Sequence, residues 1–571
     1  MGQLLRAWRL CCALLLISAI TACGGGGGGS GGPPAGDSDH GDFRFASSIE
    51  QASIERVATP VAVSVHPYQP MSRFVWFKVE DSAGVLDAEP LGISSNGDFA
   101  LTLHVTEGTP VGTHVGSVRI LAYDDQAMTQ VHPGSPWTVP YRVTVHPRHV
   151  AHRIQVSRLG VGLSEVPGRA HLSDTLTVSD NLDRSTAWQA SSDRAWLGVT
   201  PSGTTGSGTG LTLTADPAGL TPDTVHTATV TVRSSDTSVT NSETIRVALW
   251  VGTTAPTRMS PVEPIEDVRQ VLTDPSAPWV YLVTPTFVRK LNVYTGATIG
   301  NIASGIEDLG AAALSDDGTR LFAVDDASDR VLVFDTLSQV RVATWNLPTN
   351  APQSRKIQYM RSNGQGVLFL SDGLVINAND GSVLVTAFAG DERSGVMTTG
   401  ADGRSLFAME PLTAGITRYE VDWTDSVLGE QLVVQKRATM HTNDTSNANG
   451  LDLAATLDGQ RLYTVSGGIY AVTAFDIPNG AYRGVLDGGD DYRPSAIEVS
   501  RDGRVYSCTG SSLNTYSAGG ALMSSSLLHN AGSYHACSGP HLAVTADAGV
   551  AVLSLSGMPV GRSVLMVPVG Q

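Results

Sequence analysis

DGTRLF, residues 317–322, is the clearest copy of a short motif that recurs through the second half of the chain. Further copies are NGQGVLF at 363–369, DGRSLF at 402–407, DGQRLY at 458–463 and DGRVY at 502–506. Asp-Gly and Asn-Gly supply the positive φ that a tight hairpin requires, and the apolar pair that follows enters a sheet. Successive copies lie roughly 40 to 55 residues apart, the length of a four-stranded unit. The motif therefore predicts a row of small antiparallel sheets.

A second element recurs in phase with the first. The stretches VLVFD at 331–335, VTAFD at 472–476 and LNVYT at 291–295 each end a predicted strand in an aromatic residue at a polar turn. Weaker copies of the first motif are Pro278–Tyr281 and Gly539–Val544. Together the two elements resemble the YVTN-type β-propellers, which include surface-layer and lactonase-like proteins. The resemblance covers about 300 residues and concerns blades, not sites.

The resemblance implies a ring of about seven blades over residues 260–571. If one repeat were assigned the wrong phase, the count would be six or eight blades instead. Ser563–Val569 is expected to pair with the strand near Val268–Leu272 and so close the ring.

The residues before the ring alternate apolar and polar side chains with the period of a strand. VAVSV at 61–65 and YRVTV at 141–145 are examples in the first stretch, and ATVTV at 228–232 and IRVAL at 245–249 in the second. Such alternation lines one face of a pleated strand. Pro and Gly clusters between these runs predict antiparallel sandwiches. We expect an all-β chain: two tandem immunoglobulin-like β-sandwiches followed by a β-propeller of about seven blades.

The two N-terminal stretches also resemble one another. Leu101–Ile120 and Leu211–Val232 each read as a strand, a Pro/Gly turn and a second strand. Tandem copies of one module would give this pattern, and so would two domains that share only a general sandwich plan. We expect modules at 45–148 and 150–252.

The second module carries a more specific resemblance. Trp188 to Pro201, with Trp196 inside it, followed by Asp216-Pro217-Ala218-Gly219-Leu220, is similar to the BACON family of β-sandwich domains. That family occurs in extracellular bacterial proteins, and its name records a proposed link to carbohydrate binding. The first module has only Phe74-Val75-Trp76-Phe77 in place of this block, so its resemblance is weaker.

The N-terminus predicts export. Arg6 and Arg9 precede an apolar run, Leu10–Ile20, that is too short to span a bilayer, which is typical of a signal peptide over residues 1–22. Ile20-Thr21-Ala22-Cys23 resembles the bacterial lipobox, which implies that Cys23 becomes the lipidated N-terminus. The alternative is ordinary secretory cleavage with Cys23 incidental. A Gly-rich tether over 23–44 favours the lipoprotein, because it would lift the folded part off the membrane.

Two of the five cysteines fall within the predicted folded body, Cys508 and Cys537. In an oxidising compartment they are expected to form a disulfide, which would stabilise the fold by roughly 3 to 4 kcal/mol. Two separate buried thiols are the alternative.

Charge and composition restrict the partners. The net charge is −17, only four residues are lysine, and no run is rich in basic residues, so nucleic acid is not an expected partner. The membrane is expected as a partner through the N-terminal lipid alone. Gly24, which follows Cys23, implies by the lipoprotein resemblance an outer-membrane location.

No catalytic constellation is evident. The nucleophile-elbow pattern Gly-x-Ser-x-Gly occurs only inside the glycine tether, where nothing strains it. His529, His535 and His541 lie six residues apart, wider than the tight pairs of a usual zinc site, and are expected to be loop residues at the propeller rim. Two acidic groups, Asp325/Asp326/Asp329 and Asp487/Asp490/Asp491, suit calcium by chemistry, but solvated turns are the expected alternative. No cofactor and no metal are predicted.

Aromatic rings are the natural platform for a sugar, because a ring face stacks on the apolar face of a pyranose. Trp188 and Trp196 are the candidates, although the alternation after Trp196 favours a core position for that ring. Tyr492, Tyr534 and Trp423 are further candidates. We expect a non-catalytic envelope protein that binds a glycan or a surface protein. The alternatives are a lactonase- or lyase-like propeller enzyme and a scaffold component of an outer-membrane assembly.

Overall fold

The computed structural model describes most of the chain from residue 42 to residue 569. Outside the described set lie 1–41, 56–57, 70, 72–73, 89, 96, 147–149, 264, 266, 349–354, 387–394, 410–414, 427–428, 441–449, 467–470, 487–493, 511, 529–533, 559–560 and 570–571. Cys23 and most of the predicted tether therefore lie outside the described residues. Among the described residues, all regular elements are strands, and no helix has the length and apolar character that a bilayer crossing requires.

The chain divides into two compact units, Met1–Pro147 and Arg148–Gln571. The first unit contains two sheets, with strand orders β1-β3-β7-β5 and β2-β9-β8-β4-β6. Its alternating strands bury every second side chain, so that Val61, Val63 and Val65 share one core with Val143 and Val145. The strands are β1 Phe43–Phe45, β2 Ile49–Ile54, β3 Pro60–Pro67, β4 Val75–Glu80, β5 Leu86–Asp87, β6 Leu91–Ile93, β7 Phe99–Val105, β8 Gly112–Tyr123 and β9 Trp137–His146.

The second unit begins with a group of strands that we call the cap module, residues 150–252. Its sheets have the orders β12-β11-β20-β19-β15-β17, β13-β18-β16 and β10-β14, and they enclose one apolar cluster. The strands are β10 Ile154–Val156, β11 Gly160–Val166, β12 Arg169–His171, β13 Ser173–Leu176, β14 Val178–Asp180, β15 Ala187–Ser192, β16 Leu197–Val199, β17 Ser202–Thr204, β18 Leu211–Ala215, β19 Thr224–Ser234 and β20 Glu243–Val251.

The cap module and the first unit share a pairing pattern. In each, an early strand pairs in parallel with the last strand: β2 with β9, and β11 with β20. The two strands of the repeated sequence stretch lie in different sheets in both cases. They are β7 and β8 in the first unit, where β8 pairs with the last strand, β9, and β18 and β19 in the cap module, where β19 pairs with the last strand, β20.

Seven successive sheets follow in the described part of the second unit. Six have four strands in chain order, and the seventh has three. The strands are β21 Gln270–Thr273, β22 Trp279–Val283, β23 Val288–Asn292, β24 Thr298–Ile302; β25 Leu309–Leu314, β26 Arg320–Asp325, β27 Arg330–Asp335, β28 Val340–Asn346; β29 Ile357–Ser362, β30 Gln365–Leu370, β31 Leu374–Asn377, β32 Val383–Thr386; β33 Val396–Thr399, β34 Ser405–Met409, β35 Ile416–Ser426, β36 Gly429–Met440; β37 Gly450–Ala455, β38 Arg461–Ser466, β39 Val472–Asp476, β40 Tyr482–Val485; β41 Pro494–Val499, β42 Val505–Thr509, β43 Ser512–Tyr516, β44 Leu522–Leu527; and β45 Tyr534–Val544, β46 Val550–Met558, β47 Gly561–Pro568.

The first strands of these sheets contact one another in a closed cycle. β21 contacts β25, each later first strand contacts the next one along the chain, and β45 returns to β21. A cycle of this kind places the first strands around a common axis and the last strands at the periphery. This is the architecture of a β-propeller, as the repeat predicted.

The ring closes differently from the sequence expectation. Met566 of β47 pairs with Met259, which precedes the first blade, through two backbone hydrogen bonds of 3.0 and 2.8 Å. The predicted pairing of 563–569 with 268–272 is wrong, because β21 belongs to the innermost layer and contacts β45 instead. Met259 thus supplies the outer partner that the three-stranded seventh sheet lacks.

The Asp-Gly motif forms the turn between the first and second strands of a blade. Gly318, Gly364, Gly403, Gly459 and Gly503 all adopt positive φ, between +63° and +80°. In three of these turns the aspartate accepts a hydrogen bond from a Ser or Thr hydroxyl two residues before it: Ser315 to Asp317 at 2.6 Å, Thr456 to Asp458 at 2.5 Å, and Ser500 to Asp502.

In the seventh blade this turn is Thr545 to Gly549, where Thr545 binds Asp547 at 2.6 Å. The assignment of Gly539–Val544 as a copy of the turn motif was therefore wrong, since these residues belong to the first strand, β45. The signal that identifies the turn is the hydroxyl and the aspartate, because alanine replaces the glycine here.

Candidate functional site

The cap module lies against the turns that join first and second strands of the blades. Contact is close where the module has glycine: a Cβ on Gly162 would lie 2.7 Å from the Ser276 carbonyl oxygen and 2.8 Å from Ala546 Cβ. Nearby, the rings of Trp250 and Tyr294 stack at 5.4 Å with an angle of 2° between their planes. The module therefore covers one end of the propeller axis.

Charged side chains fix this contact from several directions. Arg153 binds both oxygens of Glu430 at 3.0 and 2.9 Å. Arg501 binds Asp174 at 2.7 Å and donates to the Gly162 carbonyl at 2.9 Å. Bidentate and multiply bonded guanidinium groups hold a geometry more firmly than a single contact.

Arg361 is the central connection between the module and the ring. Its Nη1 donates to Glu243 Oε2 at 2.7 Å, its Nε donates to Asp316 Oδ2 at 3.0 Å, and its Nη2 donates to the Val156 carbonyl. Burial raises the pKa of Glu243 to about 7, and burial also raises the pKa of Asp316. One cation thus serves the buried carboxyl group of Glu243 and the half-buried one of Asp316.

Between these contacts lies a cavity of about 530 Å³, which we call the cap cleft. Hydroxyl and amide side chains on or beside β10 and β14 form the wall on the side of the cap module. Residues at the turns of the blades form the opposite wall. The polar lining includes Gln155, Ser157, Thr177 and Ser179 from the module, and Thr273, Ser315, Thr399 and Asp402 from the ring. Tyr359 and Leu457 add apolar surface. The cleft falls within the usual size range of small-molecule sites.

A second cavity, of about 300 Å³, lies farther along the first strands, and we call it the axial funnel. The cap cleft and the axial funnel use neighbouring residues of the same strands. On β29, Gln358 lines the funnel whereas Tyr359 and Arg361 line the cleft; on β33, Thr398 lines the funnel and Thr399 the cleft. The two cavities are therefore successive segments along the propeller axis.

Ionisable side chains from different blades meet in the axial funnel. Its lining includes Lys356, Asp452, Glu498 and Arg269. Arg269 is engaged by Asp308 at 2.6 Å, and Asp452 accepts backbone N–H bonds from Leu453 and Ile497, both at 3.0 Å.

Burial dominates the titration of the funnel groups. It raises the pKa of Asp452 to about 7, despite the two N–H donors. Burial, followed by the charge of Asp452, raises the pKa of Glu498 to about 8. Desolvation lowers the pKa of Lys356, although its side chain is open to the cavity. Each group is thus biased towards its neutral form.

The two tryptophans proposed as sugar platforms lie in the apolar cluster of the cap module. Trp188 is only 1 % exposed and packs over Gly203, so neither face of its ring is open, and the assignment of Trp188 as a platform was wrong. Trp196 is partly buried against the same cluster. Trp423 is also buried, in the propeller.

The first acidic group is paired with arginines. Asp325 binds Arg330 at 2.9 Å, and Asp329 binds Arg355 at 3.0 Å, so guanidinium groups hold these carboxylates. No cluster of three potential metal ligands is present among the described residues.

Several predicted residues cannot be placed. Asp487, Asp490, Asp491, Tyr492 and His529 lie outside the described residues, as do the side chains of Tyr534, His535, Cys537 and His541. Cys508 is fully buried in β42. Its pairing with Cys537 stays a prediction.

The cap cleft and the axial funnel were missed by sequence reasoning. Their lining residues come from several separate blades and, for the cap cleft, also from the module, so no local motif marks them. The polar residues Gln358, Thr398 and Glu498 stand among apolar neighbours on first strands, but other first-strand positions are polar as well, so they did not mark the cavity by themselves.

No family model matches the sequence, and no curated protein matches it. Solved structures with a similar fold are β-propellers. The Cps50 (Swd1) β-propeller domain of Myceliophteria thermophila is 13 % identical, with a TM-score of 0.39 over 54 % of this chain and 99 % of that chain. U3-55K is 11 % identical, with a TM-score of 0.42 over 55 % of this chain and 98 % of that chain.

Proposed function

We propose that this protein is a non-catalytic envelope lipoprotein that binds a glycan, and that the cap cleft holds a segment of it. The observation that carries the proposal is the chemistry of the cleft lining. Hydroxyl and amide groups and one arginine from the module face hydroxyl groups, two aspartates and one arginine from the ring, beside the Tyr359 ring and the Leu457 side chain. A saccharide presents hydroxyl groups and apolar faces together, so it matches a lining of this mixture.

The remaining parts of the proposal come from the sequence. A signal peptide over 1–22 and a lipid on Cys23 would anchor the protein, by the lipobox resemblance in the outer membrane. The first unit and the cap module would be tandem β-sandwiches, the latter BACON-like, and the propeller would be of the YVTN type. A disulfide between Cys508 and Cys537 would join β42 to β45.

A tryptophan placed in the cleft tests the proposal. Ser179→Trp should fill the cavity and weaken glycan binding at least about tenfold, or about 1.4 kcal/mol. The matched control is Thr227→Trp, an exposed position on β19 that does not line the cleft. Binding of the purified full chain would be measured on a glycan array and then by calorimetry with the best ligand. Equal binding by both variants, with unchanged melting temperatures, would exclude the cap cleft as the site.

An exposed apolar strip on the second blade favours a protein partner as the second candidate. Leu337, Val340 and Val342 are between 50 and 60 % exposed on or beside its outer strand, β28. In this case the protein would be a scaffold in an envelope assembly. Fixed-ratio co-purification of one protein from solubilised membranes, lost in Val340→Glu/Val342→Glu, would support the scaffold function. Unaltered co-purification would contradict it.

A further inference from the structure

The axial funnel contains polar side chains that the protein itself does not satisfy. Within the described residues, no hydrogen bond or ion pair is made by the Lys356 ammonium, the Gln358 amide, the Thr398 hydroxyl or Glu498 Oε2. These four groups come from the third, fourth and sixth blades and line one cavity. Polar groups left unpaired in a confined site cost free energy, which a ligand with complementary groups recovers.

The positions of the charged groups restrict what such a ligand carries. Lys356 precedes the first strand of the third blade, and Glu498 lies on the first strand of the sixth. In a ring of seven blades, the third and the sixth stand on nearly opposite sides of the axis. A ligand that spans the funnel therefore meets a cationic donor at one wall and a carboxyl acceptor at the other.

The remaining lining agrees with a small polar ligand. The Gln358 and Thr398 side chains lie between the charged walls and offer neutral donors and acceptors. Among the described residues the lining contains no aromatic side chain, which argues against a sugar stacked in this cavity. Its volume of about 300 Å³ is at the lower end for ligand sites.

We propose that the axial funnel binds a small zwitterion, a free α-amino acid or a dipeptide, with its carboxylate at Lys356 and its ammonium group at Glu498. The funnel is then a second site, independent of the glycan proposed for the cap cleft. The ligand carboxylate would give the Lys356 ammonium a hydrogen-bonded counter-charge, and the ligand ammonium group would give one to Glu498. Both walls lose water on binding, so the two charge-assisted hydrogen bonds are stronger than at a surface.

The supporting charges around the funnel fit this orientation. Asp452 stands beside Glu498 and adds a second carboxyl group at the ammonium end. At the other end, Lys356 is attracted by Asp326 and repelled by Arg269, while Arg269 is itself held by Asp308. The lysine is therefore the group at that wall that remains available for a carboxylate.

Calorimetry with the purified full chain tests the proposal at pH 8. The probes are the free L-amino acids and dialanine, each beside its N-acetyl and its C-amide derivative. We expect at least one free zwitterion to bind in the micromolar to low millimolar range, and both of its derivatives to bind at least about tenfold more weakly. Absence of binding by every zwitterion would overturn the proposal. Equal binding of the parent compound and either derivative would also overturn it. A site that binds both charges of the zwitterion must bind each derivative, which lacks one charge, more weakly.

Two substitutions locate the binding. Glu498→Gln and Lys356→Met should each weaken the interaction at least about tenfold. The matched controls are Glu50→Gln and Lys436→Met, at exposed positions outside the funnel; both should bind as the parent protein does. Melting temperatures report whether each variant folds. Zwitterion binding that survives both funnel substitutions in folded protein would place the ligand elsewhere and refute the proposal.

Discussion

Arg361 carries one positive charge and is shared by two carboxyl groups, which makes it the most sensitive single residue in the contact between cap module and ring. Arg361→Met would leave the buried Glu243 and the half-buried Asp316 without their cation. We expect the free energy of unfolding to fall by about 3 to 5 kcal/mol, as measured by urea denaturation. Arg320→Met is the control, because its pair with Asp335 is partly exposed, and a loss of about 1 kcal/mol or less is expected there. Similar losses in both variants would contradict this account.

The carboxyl groups of the axial funnel predict a dependence of stability on pH. Glu498 has an ordinary pKa near 4.5 in the unfolded chain and one of about 8 in the folded protein. Between these values the folded state binds more protons, so stability falls as pH rises from about 4.5 to 8. Asp452, with a pKa of about 7, acts in the same direction.

Replacing Glu498 with glutamine removes its part of this dependence. In Glu498→Gln the melting temperature should decline less between pH 5 and pH 8 than in the parent protein, and the difference between the two should grow with pH. Scanning calorimetry at several pH values measures this. Parallel declines in the two proteins would show that Glu498 does not titrate as described.

At the scale of elements, the turn glycines distinguish the cost of backbone strain from the cost of a steric clash when a side chain is added. Gly318 and Gly459 both have positive φ, +70° and +67°. A Cβ on Gly318 would lie 2.8 Å from Pro275 Cδ, whereas a Cβ on Gly459 meets nothing within 4 Å. Gly459→Ala should therefore cost only the left-handed strain, about 1 kcal/mol. Gly318→Ala should cost clearly more, because Pro275 must also move.

Urea denaturation of the two alanine variants measures these costs. Equal losses of stability would mean that the contact with Pro275 relaxes freely, and the steric part of the argument would fail.

The elements themselves were largely predictable from the sequence. Strand alternation gave β3, β9, β19 and β20, because burial of one face imposes a period of two. The Asp-Gly turns gave the blades, because few residues tolerate positive φ. The turn at Asp547 was not predicted, because Ala548 there adopts the positive φ, +54°, that glycine adopts in the Asp-Gly and Asn-Gly turns.

At the scale of the whole molecule, the docking of the cap module onto the ring was not predictable. Arg153 and Glu430 are 277 residues apart in the chain, and neither belongs to a motif. Ion pairs of this kind depend on how the folded cap module and the folded ring pack against each other. A single sequence contains no periodic pattern that predicts this packing.

The docking predicts joint unfolding of the cap module and the ring. Polar contacts, the Trp250–Tyr294 stack and apolar residues in one shared cluster cross the boundary. Under mild denaturant, amide hydrogens of β20 and of β26 should exchange with free energies within about 1 kcal/mol of each other. Earlier loss of protection throughout β20 would contradict a single cooperative unit.

The closure of the ring through Met259 has a mechanical consequence. Met259 follows the last strand of the cap module by only a few residues, so tension applied from the N-terminal side reaches the module before it reaches the two backbone bonds to Met566. The ion pairs and stacked rings beneath the module then carry the load in parallel. A pull on the part of the chain before the module is thereby diverted from the two backbone bonds that close the ring.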